Sequence, residues 1–156
     1  MGRAVNTPVD IYVINRENVP WLIDHYRNDW KFDMVVVDEL SSFKNHQAKR
    51  FKCLTWVRPH IKKIVGLTGT PAPNSMMDLW AQVYLLDGGE RLGKNITAYR
   101  SAYFKQNTHG GNFTTYEELD GSAKTIRDRI SDICVSMKAE DYIQLPENRY
   151  HRPGTA

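Results

Sequence analysis

Apolar residues fall into short runs bounded by charge, and two spacings alternate along the chain. Residues 9–14 are apolar at 9, 11, 12, 13 and 14; Met34-Val35-Val36-Val37 is an unbroken run, and Ile64-Val65-Gly66-Leu67 is another. Such runs, rich in β-branched residues and stopped abruptly, predict strands buried on both faces of a parallel sheet. Between them the period changes. After Asn15, a candidate cap, Trp21, Leu22 and Tyr26 predict a helix with Glu17 in its first turn, Pro20 early, and Asn28-Asp29 at its close. This makes one strand–helix–strand unit up to Met34, with a crossover long enough for a parallel pair.

Residues 45–57 predict a second helix, with Ala48, Phe51, Leu54 or Thr55, and Val57 on one face, broken by Pro59. Met76, Leu79, Trp80, Val83 and Tyr84 predict a third, capped by Asn74 or Ser75 with Asp78 as capping-box partner and ended by Asp87-Gly88-Gly89. Their helical spacing assigns these aromatics to the core. The later pattern is weaker. Residues 97–104 predict a short helix and 109–112 a flexible loop; Ser122 caps a helix carrying Ile126, Ile130 and Ile133. Residues 134–137 predict a final strand, and Pro146 with the polar end 149–156 the start of a linker. The fold class is α/β with a mainly parallel sheet.

Composition narrows the class. At 156 residues, 41% hydrophobic and 25% charged, the chain predicts one domain with a sizeable core. No apolar run approaches the ~18 residues of a membrane span, and the N-terminus lacks a signal peptide's apolar stretch, so a cytoplasmic protein away from membranes is expected. Cys53 and Cys134 have no motif spacing and read as reduced, buried thiols. The five histidines have no metal-type spacing and read as surface or loop residues. A net charge of +3 is mild, but Lys44, Lys49, Arg50, Lys52, Arg58, Lys62 and Lys63 fall in one stretch without an acid. That stretch is either a phosphate-contacting stripe or the solvated face of a helix covering the sheet.

The candidate chemistry sits at strand ends. Asp38 and Glu39 follow the run 34–37 at its carboxyl end, where open α/β sheets place a ligand crevice. One carboxylate can hold magnesium, directly or through water, and the other can orient or deprotonate an attacking water. A plain solvated strand end is the bland reading. Thr68-Gly69-Thr70-Pro71-Ala72-Pro73-Asn74 follows the run 64–67, and its hydroxyls, Gly and Pro predict a tight loop at the same edge, able to feel a phosphate. Gly88-Gly89-Glu90-Arg91-Leu92-Gly93-Lys94-Asn95 comes one residue from a phosphate-binding loop. It is rejected because a helix precedes it and Asn95 replaces the Ser or Thr that would bind magnesium, leaving Lys94 a surface lysine.

Together these stretches resemble the Swi/Snf-type branch of superfamily-two helicases and DNA translocases, most closely the short helicases of phage and prophage genomes. Asp38-Glu39-Leu40-Ser41 stands where that family has its Asp-Glu-x-His box, and Lys44-Asn45 matches the Lys-Asn that often follows. Leu67-Thr68-Gly69-Thr70-Pro71, Asn74 and Asp78-Leu79-Trp80 are similar to its third motif and the next helix. Leu40-Ser41 departs from the family's small residue and His.

The resemblance implies a three-layer RecA-like lobe, incomplete at its N-terminus. Residues 1–146 would form a partial ATP-binding lobe without the phosphate-binding loop, and 147–156 the start of an inter-lobe tail. It implies ATP and Mg2+ as cofactors, with tight binding needing that loop. Asp38 and Glu39 are the expected catalytic residues, with Asp38 on the metal through water and Asp38, Thr68, Gly69 and Thr70 at the nucleotide. Asn15, Arg16, Lys44, Lys49 and Arg50 are the expected nucleic-acid contacts. DNA is the expected partner, with the remaining helicase segments or a second copy joining through an exposed sheet edge. The chain alone is expected to be inactive. The alternative is a non-enzymatic nucleic-acid-binding or regulatory module from a split phage gene.

Overall fold

A computed structural model of the chain describes residues 6–69, 75–109 and 113–136. Asn15 opens the first helical segment: its Oδ1 accepts from the Glu17 N–H at 3.2 Å, ahead of a 3-10 turn, Arg16–Asn18. Pro20 then sits in the first turn of α1 (Val19–Tyr26), which buries Leu22, Ile23 and Tyr26. Helix α1 leads to β1 (Met34–Val37). From there a 3-10 turn (Leu40–Phe43) and α2 (Lys49–Val57) cross over to β2 (Lys63–Gly66). The two strands pair in parallel, Val35 opposite Ile64 and Val37 opposite Gly66. The second helix starts at Lys49, four residues after the predicted 45. Asn45 Oδ1 instead accepts from the Gln47 N–H at 2.9 Å, holding a separate turn.

Residues 9–14 form no strand, contrary to the sequence expectation, so the strand–helix–strand unit is β1–α2–β2. No described strand lies beside 9–14 to complete a ladder. The segment packs by one side only: Val9, Ile11 and Val13 are 51%, 78% and 91% exposed. Tyr12 meets the Phe32 ring edge-on at 5.2 Å, and Ile14 packs on Leu22 and Tyr26.

Helix α3 (Leu79–Asp87) is the central pillar, burying Leu79, Trp80, Ala81, Gln82, Val83 and Leu85. A helix apolar on nearly every side belongs inside the core, which is where the spacing put its aromatic Trp80. Ser75 opens the preceding turn by accepting from the Met77 N–H at 3.1 Å, but Asp78 closes no capping box; its carboxylate pairs with Lys44 Nζ at 3.0 Å. At the other end Arg58 donates to the Leu85 and Leu86 carbonyls at 2.8 and 2.5 Å, a cation on the helix's negative pole. Gly88, at φ +67°, terminates the helix. A Cβ at Gly89 would lie 2.7 Å from the Gly93 carbonyl oxygen, so these glycines shape a tight helix exit, and Lys94 Nζ closes it on the Gly88 carbonyl at 3.0 Å.

Helix α4 (Ile96–Tyr103) is capped by Asn95, whose Oδ1 accepts from the Ala98 N–H at 2.8 Å. It runs into β3 (Phe104–His109), which pairs antiparallel with β4 (Phe113–Glu118). Of the predicted loop 109–112, His109 instead ends β3, and 110–112 lie outside the described residues. Two contacts tie α4 and the hairpin to the start of α3: Tyr99 Oη donates to the Met76 carbonyl at 2.7 Å, and the Met76 N–H donates to Glu118 at 2.9 Å. Helix α5 (Ser122–Ile130) is capped by Gly121 at φ +78°, with Ser122 its buried first residue rather than its cap. Ile126 and Ile130 are buried and Ile133 is 36% exposed. Residues 134–136 form no strand, and 137 lies outside the described residues. Both cysteines are free, but Cys53 is only half-buried and Cys134 is exposed.

One face of the β1–β2 pair carries Val35, Val37 and Ile64 into the core. The other carries Met34, Val36, Val65 and Leu67, which are 51%, 54%, 38% and 50% exposed. Burial on both faces, expected from the apolar runs, does not occur among the described residues because no described element covers this second face. Among them, no helix is long and apolar enough to cross a membrane.

Candidate functional site

The parallel pairing carries the ends of β1 and β2 to one rim. Beyond the ladder the Leu67 N–H donates to the Val37 carbonyl at 2.9 Å, and the Leu40 N–H donates to the Leu67 carbonyl at 2.8 Å. These bonds stitch the turn after β1 to the turn after β2. Asp38 and Glu39 occupy the first turn and are exposed. Asp38 Oδ1 accepts from the Glu39 N–H at 3.0 Å. Glu39 Oε1 accepts from Ser41 Oγ at 2.6 Å and Thr68 Oγ1 at 3.4 Å. Three residues named from sequence, Asp38, Glu39 and Thr68, are thereby brought together, with Ser41 bridging to the carboxylate. Gly69 follows in open space. Thr70 and residues 71–74 lie outside the described residues.

Glu39 adopts the left-handed conformation, φ 52° and ψ 57°. For a residue with a Cβ this costs about 1–2 kcal/mol, and such strain gathers at functional turns. Glu39→Gly should therefore raise folding stability by about 1 kcal/mol, net of the two lost side-chain hydrogen bonds. Urea denaturation checks this; a destabilised variant would show that those bonds outweigh the strain.

Asp38 suits magnesium in one mode. Its Oδ1 is engaged by backbone, leaving one hard oxygen at an open rim, which matches an ion held mainly by waters and nucleotide phosphates. Among the described residues no group of three or more His, Cys, Asp or Glu is arranged to hold a metal by itself.

The basic residues divide. Asn15 is committed to its cap. Arg16 and Arg50 converge on Glu17, at 3.4 and 3.3 Å. Arg50 also donates to the Ser42 carbonyl at 2.7 Å, so α2 is tied to the turn after the acids. Lys49 is exposed beside it, whereas Lys44 stands apart on Asp78. Sequence reasoning missed His46 and Arg100. His46 is half-buried rather than at the surface, edge-on to Trp80 at 5.8 Å. Its position just after Lys44-Asn45 was the available signal; nothing in the helical spacing marked Arg100.

Residues 10–141 match the SNF2-related domain. The chain is 32% identical over 148 residues to protein p41 of Acyrthosiphon pisum secondary endosymbiont phage 1, covering 91% of this chain and 32% of p41. It is 34% identical over 61 residues to the chromatin-remodeling ATPase INO80 of Pyricularia oryzae, 39% of this chain and 3% of that protein. It is 33% identical over 73 residues to the helicase SWR1 of Cryptococcus neoformans var. neoformans serotype D, 46% of this chain and 5% of that one. The chain thus spans about a third of the phage relative and a small part of the others. No solved structure matches. With the Asp-Glu turn and the Thr68 turn on one rim of a parallel pair, and the SNF2-related match running through both, the chain belongs to the SNF2-related family, whose fold is RecA-like.

Proposed function

We propose that this chain supplies the acid-bearing part of the ATP-hydrolysing lobe of a DNA helicase or translocase. The carrying observation is the 3.4 Å link from Thr68 Oγ1 to Glu39 Oε1. It joins the group that would activate water to the turn that would sense a phosphate. In this reading Asp38 holds magnesium through water, and Glu39 orients the attacking water and accepts its proton on its carboxylate. Thr68, Gly69 and Thr70 relay the nucleotide state towards DNA, with Ser41 standing in for the family's His as the partner of Glu39. Magnesium, bound with ATP, supplies charge neutralisation on the phosphoryl group.

Residues 1–146 then belong to a first, three-layer RecA-like lobe, and 147–156 to the start of the inter-lobe tail. The half-exposed apolar face of β1–β2 and its open outer edges support joining to the remaining helicase segments or to a second copy. Asn15, Arg16, Lys44, Lys49 and Arg50 would lie towards DNA, in the cytoplasm.

The test uses the 156-residue chain, with Mn2+ as a paramagnetic substitute for Mg2+ in the presence of ATP. NMR should show selective broadening of the Asp38, Glu39 and Leu40 amides, lost in Asp38→Asn. Broadening centred away from this rim, or none, overturns the metal assignment. Without a backbone cradle or a lysine on the phosphates, turnover with or without duplex DNA should stay well below about one per second. A rate near that value would overturn the expectation that this chain is inactive alone. Salt-dependent DNA binding without any response to Mn2+ and ATP would favour the non-enzymatic module.

A further inference from the structure

A second feature lies beside the acid turn. Lys44, Asn45 and His46 form one wall of a half-open cleft of about 250 Å³, and Met77, Asp78, Trp80, Ile96 and Arg100 contribute to the rest. The cleft's charge is unbalanced. Among the described residues Asp78 is its only acid, its carboxylate is taken up by Lys44 Nζ at 3.0 Å, and Arg100 has no acid partner. Its guanidinium lies over the Tyr116 ring, 4.6 Å from the centroid. Its Nε is buried and, among the described residues, has no hydrogen-bond partner.

A buried donor on a charged group is rarely left unsatisfied, because the desolvation cost is not recovered. With one face against Tyr116 and its Nε enclosed, the guanidinium has only the edge formed by its two Nη groups left for a ligand. That edge is a fork of parallel N–H donors, matched in shape to two oxygens of a phosphate or carboxylate. Two cations against one carboxylate leave a single net positive charge, which a singly charged anion balances. The volume admits one phosphate with its sugar, and the half-buried His46 ring lies on its wall.

We propose that the cleft between Lys44, His46 and Arg100 binds one phosphodiester of a nucleic-acid strand, with the Arg100 edge as principal contact. The oxyanion site stands on the cleft geometry; its assignment to a nucleic-acid strand rests on the DNA reading above.

His46 provides the reporter. Burial, then the nearby positive charges of Arg100 and Lys52, hold its imidazole below the ordinary range. The charged groups around it are Arg100 from α4, Lys52 from α2, and the Lys44–Asp78 pair, with Lys44 on its own wall of the cleft. An anion offsetting Arg100 removes part of that penalty and raises the His46 pKa. Binding therefore takes up a proton and strengthens as pH falls through the histidine range.

The experiment follows the His46 ring signals by NMR in the whole chain. It is titrated with a short single-stranded oligonucleotide and, separately, with inorganic phosphate, in wild type and Arg100→Gln. The oligonucleotide should shift the His46 titration upward. Arg100→Gln should abolish that response, weaken oligonucleotide binding about tenfold, and lower the slope of log affinity against log salt by about 0.7, one phosphate contact on a single strand. If Arg100→Gln does not fold, Lys44→Gln reads the same His46 response and should diminish it. Response to inorganic phosphate alone, with the oligonucleotide bypassing His46, would overturn the phosphodiester assignment in favour of a free-phosphate site. Unchanged oligonucleotide affinity and salt slope in a folded Arg100→Gln would overturn the cleft while leaving the DNA reading intact. Absence of any oligonucleotide binding by wild type would overturn both.

Discussion

Phe43→Ala is expected to remove about 3–5 kcal/mol of folding stability, the usual cost of emptying a core phenylalanine site. Phe43 is 1% exposed and ends the 3-10 turn that follows Asp38 and Glu39. The Arg50 guanidinium lies over its ring, 5.6 Å from the centroid, while donating to the Ser42 carbonyl one residue earlier. The ring is thus both core filler and the peg that fixes the acid turn to α2. Domains of this kind are stable by about 5–15 kcal/mol, so the loss is a large share of the total. Urea denaturation should show a much lower midpoint with little change in slope. Phe43→Leu, which keeps most of the volume, should cost under about 1.5 kcal/mol. A loss below 1 kcal/mol for the alanine variant would mean that the turn is not anchored through this ring.

The second large effect is steric. Gly66 ends β2 directly beneath Leu40, and a Cβ there would strike Leu40 Cδ2 and lie 3.1 Å from Cγ and 3.3 Å from Cβ. Leu40 is 4% exposed and its N–H is bonded to the Leu67 carbonyl, so the side chain has little room to swing away. Gly66→Val should therefore cost about 1–3 kcal/mol, as overpacking does. It should also displace the Glu39 and Leu40 amide signals, because Leu40 can yield only by moving the acid turn. Pairing Gly66→Ala with Leu40→Ala makes room, so the double variant should be more stable than the sum of the singles implies. Strict additivity would show that the two sites do not press on one another.

Much of the site was legible because it depends on strand ends alone. Met34 to Val37 and Ile64 to Gly66 announce themselves as β-branched runs, and a parallel pair must bring their carboxyl ends to one rim. The juxtaposition of Glu39 and Thr68 follows from that. The number of covered faces does not follow, since Val36 reads the same whether a helix lies over it or not. The hairpin was hidden because Lys105, Gln106, Asn107 and Thr108 face Glu117, Tyr116, Thr115 and Thr114 in a largely polar ladder. A period-2 pattern needs apolar positions to be seen. Missing the hairpin also concealed Arg100, whose partner Tyr116 is on β4. Residues 9–14 failed for the opposite reason: their apolar run is plain, but a ladder also needs a neighbour.

The two bonds on Met76 have a mechanical consequence. With its carbonyl held by Tyr99 and its N–H by Glu118, the backbone just ahead of α3 is clamped from two elements. A shift at Thr68 and its carboxylate partner would then leave the start of α3 in place.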